Sequence, residues 1–239
     1  MAQILLITGW GGGTGLLEPL QQQLQQCGHT VTLMNIFDAF DPVVMQDRVQ
    51  QAKTADVIIG WSLGGQLALL LAHALQQETG DTLPVITLAS NPCFVAQPNW
   101  ECAMPQETFA AFKAGFLHDP ASTLKRFGLL VTKGVTSAKH DWTFMQSLLR
   151  AQPISLLQQG LKLLEHLNLV DTLKSYLGNQ LHVFARQDAL VPCQIVEKMQ
   201  YLASEKIKVI TFHDAAHSFP FTKVIETCKE IEKFIQTSV

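Results

Sequence analysis

The sequence predicts an α/β fold in which helices cover a mostly parallel central sheet of about six strands. Three observations lead there. Short apolar runs without alternation recur along the chain, as strands buried on both faces require. Segments with helical spacing separate most of these runs. At 239 residues, 47% hydrophobic and 15% charged, the chain has the length and apolar content of one well-buried domain of this class.

The elements follow in order. Residues 4–7 form the first apolar run; a glycine-rich turn (8–15) and a helical pattern over 16–27 come next. The second run, 31–33, precedes a helix over 43–52, and the third, 57–59, precedes one over 63–77. After the fourth run, 85–88, the alternation stops. Residues 92–177 hold no convincing strand but four helix-like stretches, at 106–116, 121–132, 139–150 and 155–164. Strand and helix then resume with 181–185, 192–202, 209–212 and 224–235. The expected organisation is a core of residues 1–91 and 178–239, interrupted by a helical lid over 92–177.

Charge narrows the function classes. A formal charge of −3 argues against a dedicated nucleic-acid binder, which needs an excess of Lys and Arg for phosphate contacts. The distribution is uneven: residues 1–112 carry two basic and nine acidic side chains, 113–150 six and two, and 151–239 nine of each. The basic segment coincides with the lid. Such a run is usually a solvated helix face, and composition alone does not decide between that reading and a docking surface. The five cysteines, Cys27, Cys93, Cys102, Cys193 and Cys228, never form a C-x-x-C pair, so spacing suggests neither a disulfide framework nor a metal site. No basic leader or long apolar span is visible, and a cytoplasmic monomer without membrane attachment or cofactor is expected.

The chemistry concentrates at three loops. Gly60-Trp61-Ser62-Leu63-Gly64, between the third run and the helix after it, is Gly-x-Ser-x-Gly in a strand–turn–helix context. That spacing sets a serine on a sharp corner with its Oγ beyond the sheet, while the glycines leave room for tight strand-to-helix packing. Ser62 is the expected nucleophile, and the Leu63 N–H, at a helix start, can face a developing oxyanion. A base is expected in the loop after the last strand, where His217 sits among small residues; His213 is the rival but abuts the strand. The acid is expected after the penultimate strand, where Asp188 stands, while the loop 88–92 one strand earlier has no carboxylate. A second oxyanion donor is expected from the first loop, at the Trp10 N–H, where neighbouring glycines allow close backbone approach. That loop fits neither a P-loop nor a dinucleotide fingerprint: no Gly-Lys-Ser/Thr ends it, and Thr14 or Leu16 stands where a third glycine belongs.

Several segments together resemble one family. Gly9-Trp10-Gly11, Gly60-Trp61-Ser62-Leu63-Gly64-Gly65, Ala89-Ser90-Asn91-Pro92-Cys93-Phe94, Lys125-Arg126-Phe127, Asp188-Ala189-Leu190-Val191-Pro192 and Ala215-Ala216-His217 resemble the BioH-type pimeloyl-acyl carrier protein methyl ester esterases of the α/β-hydrolase superfamily. The resemblance spans nearly the whole chain. It implies an α/β-hydrolase fold and a cytoplasmic enzyme of biotin synthesis that removes the methyl ester from pimeloyl-acyl carrier protein. Ser62, Asp188 and His217 match the family triad, and Trp10 and Leu63 its backbone oxyanion donors. Phe127 matches a lid aromatic near the acyl chain and Trp61 flanks the nucleophile, so that with Trp10 they are expected to line the substrate, although Phe127 and Trp61 read equally well as plain core. Arg126 and Lys139 match lid cations that grip the acidic carrier protein, with Lys125 and Lys133 close by; two further such positions hold Ser122 and Thr143. The chain departs from the family pattern at Thr8, where a histidine is usual, and at residues 35–40, which lack the familiar Gly-x-Gly-x-Ser. It begins at what resembles the family's third strand, implying a shortened sheet edge.

Three functions compete at this level. Carrier-protein ester hydrolysis is favoured by the basic lid, whereas a small-molecule carboxylesterase or thioesterase would use the same triad without lid charge. A catalytically silent hydrolase-fold binding protein has no need to keep three separated residues in register.

Overall fold

The apolar runs become strands because their neighbours cover both faces. The protein is described by a computed structural model over residues 1–202 and 205–238. Six strands, β1 (Gln3–Ile7), β2 (Thr30–Met34), β3 (Val57–Trp61), β4 (Val85–Leu88), β5 (Gln180–Ala185) and β6 (Ile207–Phe212), form one sheet in the order β2-β1-β3-β4-β5-β6, with every adjacent pair parallel. Every residue of β3, β4 and β5 is buried, whereas the edge strands β2 and β6 expose Thr30, Thr32 and Lys208.

The covering helices follow the sequence pattern, with local differences. The helix read over 16–27 is a 3-10 turn (Thr14–Leu17) followed by α1 (Glu18–Gln26), with a proline in the first turn of α1 where a missing N–H costs nothing. Asp41 caps α2 (Pro42–Ala52) by accepting from the Val43 and Val44 amides. Helix α3 (Leu63–Thr79) is the most deeply buried and ends at Gly80 in the left-handed conformation, φ 83°.

Between β4 and β5 the chain forms α4 (Gln106–His118), α5 (Pro120–Thr132), α6 (Ala138–Leu148), α7 (Ile154–His166) and the short α8 (Val170–Ser175). Among the described residues this stretch holds only isolated bridges, such as Cys93 with Asn168, and no strand. Helix α8 has no counterpart in the sequence reading, because six residues are too few to display a period. After β5 come α9 (Ile195–Tyr201), β6, the single turn α10 (Phe219–Thr222) and the amphipathic α11 (Val224–Ser238).

The strand order places the site. From β1 the chain moves outward to β2, then returns past β1 to β3, so the carboxyl ends of β1 and β3 flank the point where winding reverses. In parallel sheets that crevice is the natural ligand site. It receives Gly9 and Trp10 from one strand and Ser62 from the other.

Candidate active site

Ser62 joins β3 to α3 at φ 56°, ψ −122°, a positive φ rare for any residue but glycine. The surroundings hold the chain there. A Cβ on Gly60 would lie 2.0 Å from the Gly64 carbonyl oxygen, one on Gly64 2.3 Å from the Thr8 carbonyl oxygen, and one on Gly65 2.5 Å from Ser90 Cβ. The Ser62 amide donates to the Leu88 carbonyl at 2.9 Å, and its carbonyl accepts from the Gly65 amide at 2.9 Å. The glycines of Gly-x-Ser-x-Gly-Gly are thus required by space, as the sequence pattern implied.

His217 and Asp188 meet as their loop positions predict. His217 Nδ1 and Asp188 Oδ2 are 2.7 Å apart, and the two side chains are 0% and 1% exposed. Because a carboxylate accepts at Nδ1, that nitrogen carries the proton and Nε2 presents its lone pair. The other carboxylate oxygen accepts from the Leu190 and Val191 amides at 2.8 and 2.9 Å. These two donors lie outside the sequence reading, although an Asp followed by a turn is a known signal for such bonds. His217 Nε2 is buried without a hydrogen-bond partner among the described residues, and none joins it to Ser62 Oγ. His213 and Asp214 are both exposed, and Asp214 lies 3.8 Å from Lys223, so neither belongs to this buried cluster.

Trp61 supports the histidine. Its indole N–H donates to the His217 carbonyl at 3.0 Å, and its ring lies 5.4 Å from the imidazole and 5.6 Å from Phe221, centroid to centroid. The Trp61 side chain is buried. The loop after β1 lies against the elbow: a Cβ on Gly9 would be 2.9 Å from the Trp61 ring and 3.0 Å from Ser62 Cβ. Neither the Trp10 nor the Leu63 backbone N–H has an acceptor among the described residues. Leu63 heads α3, where helix geometry leaves donors unsatisfied.

Helices α4, α5 and α7 pack against this loop. The buried Trp10 ring stacks edgewise on Phe127, Phe116 and Phe112 at 4.9–5.5 Å, and its indole N–H donates to the Leu157 carbonyl at 2.8 Å. Phe127 lies between two cavities of about 500 and 460 Å³ and lines both. The larger is walled mainly by Phe94, Met104, Phe112, Leu130, Leu164 and Leu190, with Arg126 the charged residue of its lining. Ser62, Asp188 and His217 are not among the lining residues of either cavity. Phe112 escaped the sequence reading, and Phe94 and Leu190 entered it only within longer segments, because only the fold gathers them as one wall.

Lys125, Arg126, Lys133 and Lys139 are all exposed. None has an ion-pair partner among the described residues, whereas Lys113 pairs with Glu165 and Arg150 with Glu18. Ser122 and Thr143 are also exposed, and the Thr143 hydroxyl donates back to the Lys139 carbonyl. Thr8 is buried, and its hydroxyl donates to Asn35 Oδ1 at 3.0 Å.

The sequence profile described as "Alpha/beta hydrolase family" matches residues 15–226. The chain belongs to that family. It is 28% identical to a pimeloyl-[acyl-carrier protein] methyl ester esterase of Xylella fastidiosa (strain M23), over 98% of this chain and 95% of that protein. It is 30% identical to the protein of the same name from Hamiltonella defensa, over 74% of this chain and 67% of that one. Among solved structures, an esterase from Exiguobacterium antarcticum superposes with a TM-score of 0.80 at 16% identity, covering 99% of this chain and 92% of the other. The α/β-hydrolase fold and the BioH-type resemblance read from the sequence are borne out. No helix among the described residues is long and apolar enough to cross a membrane.

Proposed function

We propose that the protein is a serine carboxylic ester hydrolase that removes the methyl ester from pimeloyl-acyl carrier protein. The observation that carries hydrolysis is the buried His217–Asp188 pair, whose unpartnered Nε2 accompanies an elbow serine at positive φ. In this reading Ser62 Oγ attacks the ester carbonyl while His217 Nε2 takes its proton, and Asp188 holds the tautomer and stabilises the imidazolium. The Trp10 and Leu63 N–H groups receive the oxyanion. Collapse of the tetrahedral intermediate expels methanol, which takes the proton from His217. Water, deprotonated by the same nitrogen, then releases the free acid from Ser62. Apo structures often show such hydrogen bonds unformed, which accords with the unjoined Ser62 and His217.

The carrier protein enters through two supports: the names of the relatives and the four exposed, unpaired cations of α5, α6 and the turn between them. An acidic partner would be steered by this face. The apolar cavity beside Phe127 suits an acyl or pantetheine-like arm better than a charged ligand. The same cavity also suits a free short ester, which keeps a small-molecule esterase or thioesterase as the second reading.

The deciding experiment is growth without biotin of a bacterium lacking its own pimeloyl ester esterase. Rescue by the parent gene and not by Ser62→Ala supports the proposal. Failure of a well-expressed, ester-hydrolysing protein to rescue would favour the small-ester reading.

A further inference from the structure

At the sheet edge opposite Ser62 lies a second cluster of reactive side chains. Helix α1 runs from the carboxyl end of β1 toward the amino end of β2, so Cys27 and His29, in the turn between them, sit at the amino-terminal edge. Helix α11 packs against α1 and brings Cys228 and, one helical turn later, Glu232 to the same place. The Cys27 and Cys228 sulfurs are 3.6 Å apart across 201 residues of sequence. One carboxylate oxygen of Glu232 and the two sulfurs all lie within 4.8 Å of one another.

We propose that Cys27, Cys228 and Glu232 bind one tetrahedrally coordinated divalent cation of the zinc class. Two thiolates at about 2.3 Å from a tetrahedral ion stand about 3.8 Å apart, close to the spacing found, whereas a disulfide requires about 2.0 Å. The donor set, two soft sulfurs and one carboxylate, selects zinc over magnesium or calcium. Three protein ligands leave the fourth position for water.

The surroundings hold the ligands in place. His29 Nδ1 accepts from the Ala2 amide at 3.1 Å, so its Nε2 carries the proton and donates to Glu232 Oε1 at 2.6 Å. Histidine bonds of this kind orient a ligating carboxylate. The Gln23 side-chain amide approaches Cys27 Sγ at 3.9 Å and can donate to a thiolate there. Gly28, at φ 92°, makes the turn that returns His29 toward α11. Cys228 is buried while Cys27 is exposed, giving the ion a route from solvent. A bound ion would tie the first βα unit to the last helix. The local-spacing test of the cysteines misses this group because its members come from opposite ends of the chain.

The test uses the full-length, reduced, chelator-stripped protein titrated with Co²⁺ and then Zn²⁺. One equivalent of Co²⁺ should give the thiolate-to-cobalt charge-transfer band and the visible bands of a tetrahedral site, and Zn²⁺ should bleach them. Cys27→Ser, a change at an exposed position, should remove the charge-transfer intensity contributed by that sulfur and weaken Zn²⁺ at least tenfold. Glu232→Gln should weaken Zn²⁺ by a similar factor while keeping the band. Both variants should keep the parent's circular dichroism and ester turnover, since the elbow lies at the other edge. The proposal is overturned if the parent, with all five thiols titratable, gives no such band. It is equally overturned if the band is unchanged in Cys27→Ser, or if Cys27 and Cys228 are recovered as a disulfide that excludes the metal.

Discussion

Replacing Asp188 by asparagine and by alanine separates its two tasks. One carboxylate oxygen accepts from the Leu190 and Val191 amides, and the other faces His217 Nδ1. In Asp188→Asn the new side chain can keep its carbonyl oxygen on the two amides and place its NH₂ against the imidazole. That NH₂ cannot accept the Nδ1 proton, so the ring turns to the tautomer protonated at Nε2, which cannot take a proton from Ser62. The expected fall in kcat is on the order of 10⁴, equivalent to about 5.4 kcal/mol of barrier, with little change in Tm. Asp188→Ala should lose the same activity and stability as well. Each N–H left without an acceptor costs about 1–3 kcal/mol, and in a chain of this size each kcal/mol lowers Tm by about 2–4 °C. Hydrolysis of p-nitrophenyl acetate and thermal unfolding followed by circular dichroism read the two effects. An asparagine variant retaining most of the parental rate would refute the assignment of Asp188 as the acid, and an alanine variant as stable as the asparagine one would refute the account of the two amides.

Other perturbations test other parts of the site. Ser62→Ala should abolish turnover and leave Tm within a few degrees, checked by the same two assays. Gly60→Ala sets a Cβ 2.0 Å from the Gly64 oxygen, a contact that only backbone movement can relieve, and should yield insoluble or inactive protein. Lys133→Glu with Lys139→Glu, neither of which lines a cavity, should lower kcat/KM for a carrier-bound ester and its dependence on salt while sparing a free short ester; equal effects on both substrates would show structural damage rather than lost steering. Burial holds His182 down at about 3, below its usual 6.5, beside the Thr87 hydroxyl. The unfolded chain therefore binds the extra proton first: stability is full above pH 6.5 and falls by about 1.4 kcal/mol per unit as pH drops from 6.5 toward 3. Urea unfolding at several pH values should show that slope in the parent and a shallower one in His182→Gln.

Sequence legibility followed the range of the physical constraint. The elbow was readable because its glycines, strand and helix are contiguous, and clashes at Gly60 and Gly64 explain the pattern residue by residue. Asp188 and His217 were readable because parallel strands deliver their following loops to one edge. The roles of the tryptophans were less legible. An indole beside a nucleophile reads as a substrate wall, yet Trp61 spends its N–H on the His217 carbonyl, and burial of that kind is set by neighbours distant in sequence. The Cys27–Cys228 approach was invisible for the same reason, and α8 because one and a half turns carry too little periodicity.

Hydrogen bonds tie the helical segment between β4 and β5 to the loops that carry the proposed site, which bears on how a docked carrier would act. Among the described residues these include the Ser218 amide to the Val131 carbonyl, the Trp10 indole to the Leu157 carbonyl, and the Arg150 amide to the Gly12 carbonyl. Two of these reach the loop that carries Trp10, and the third reaches the residue after His217. Helix α5 presents Arg126 to solvent, while the next residue, Phe127, contacts Trp10 at 4.9 Å. In the proposed reading, Arg126 meets both solvent and the apolar cavity, while Phe127 packs against Trp10. A carrier held by the outer face would deliver its arm beside Phe127, so changes at Phe127 should act on the bound acyl chain and changes at Lys133 and Lys139 on encounter.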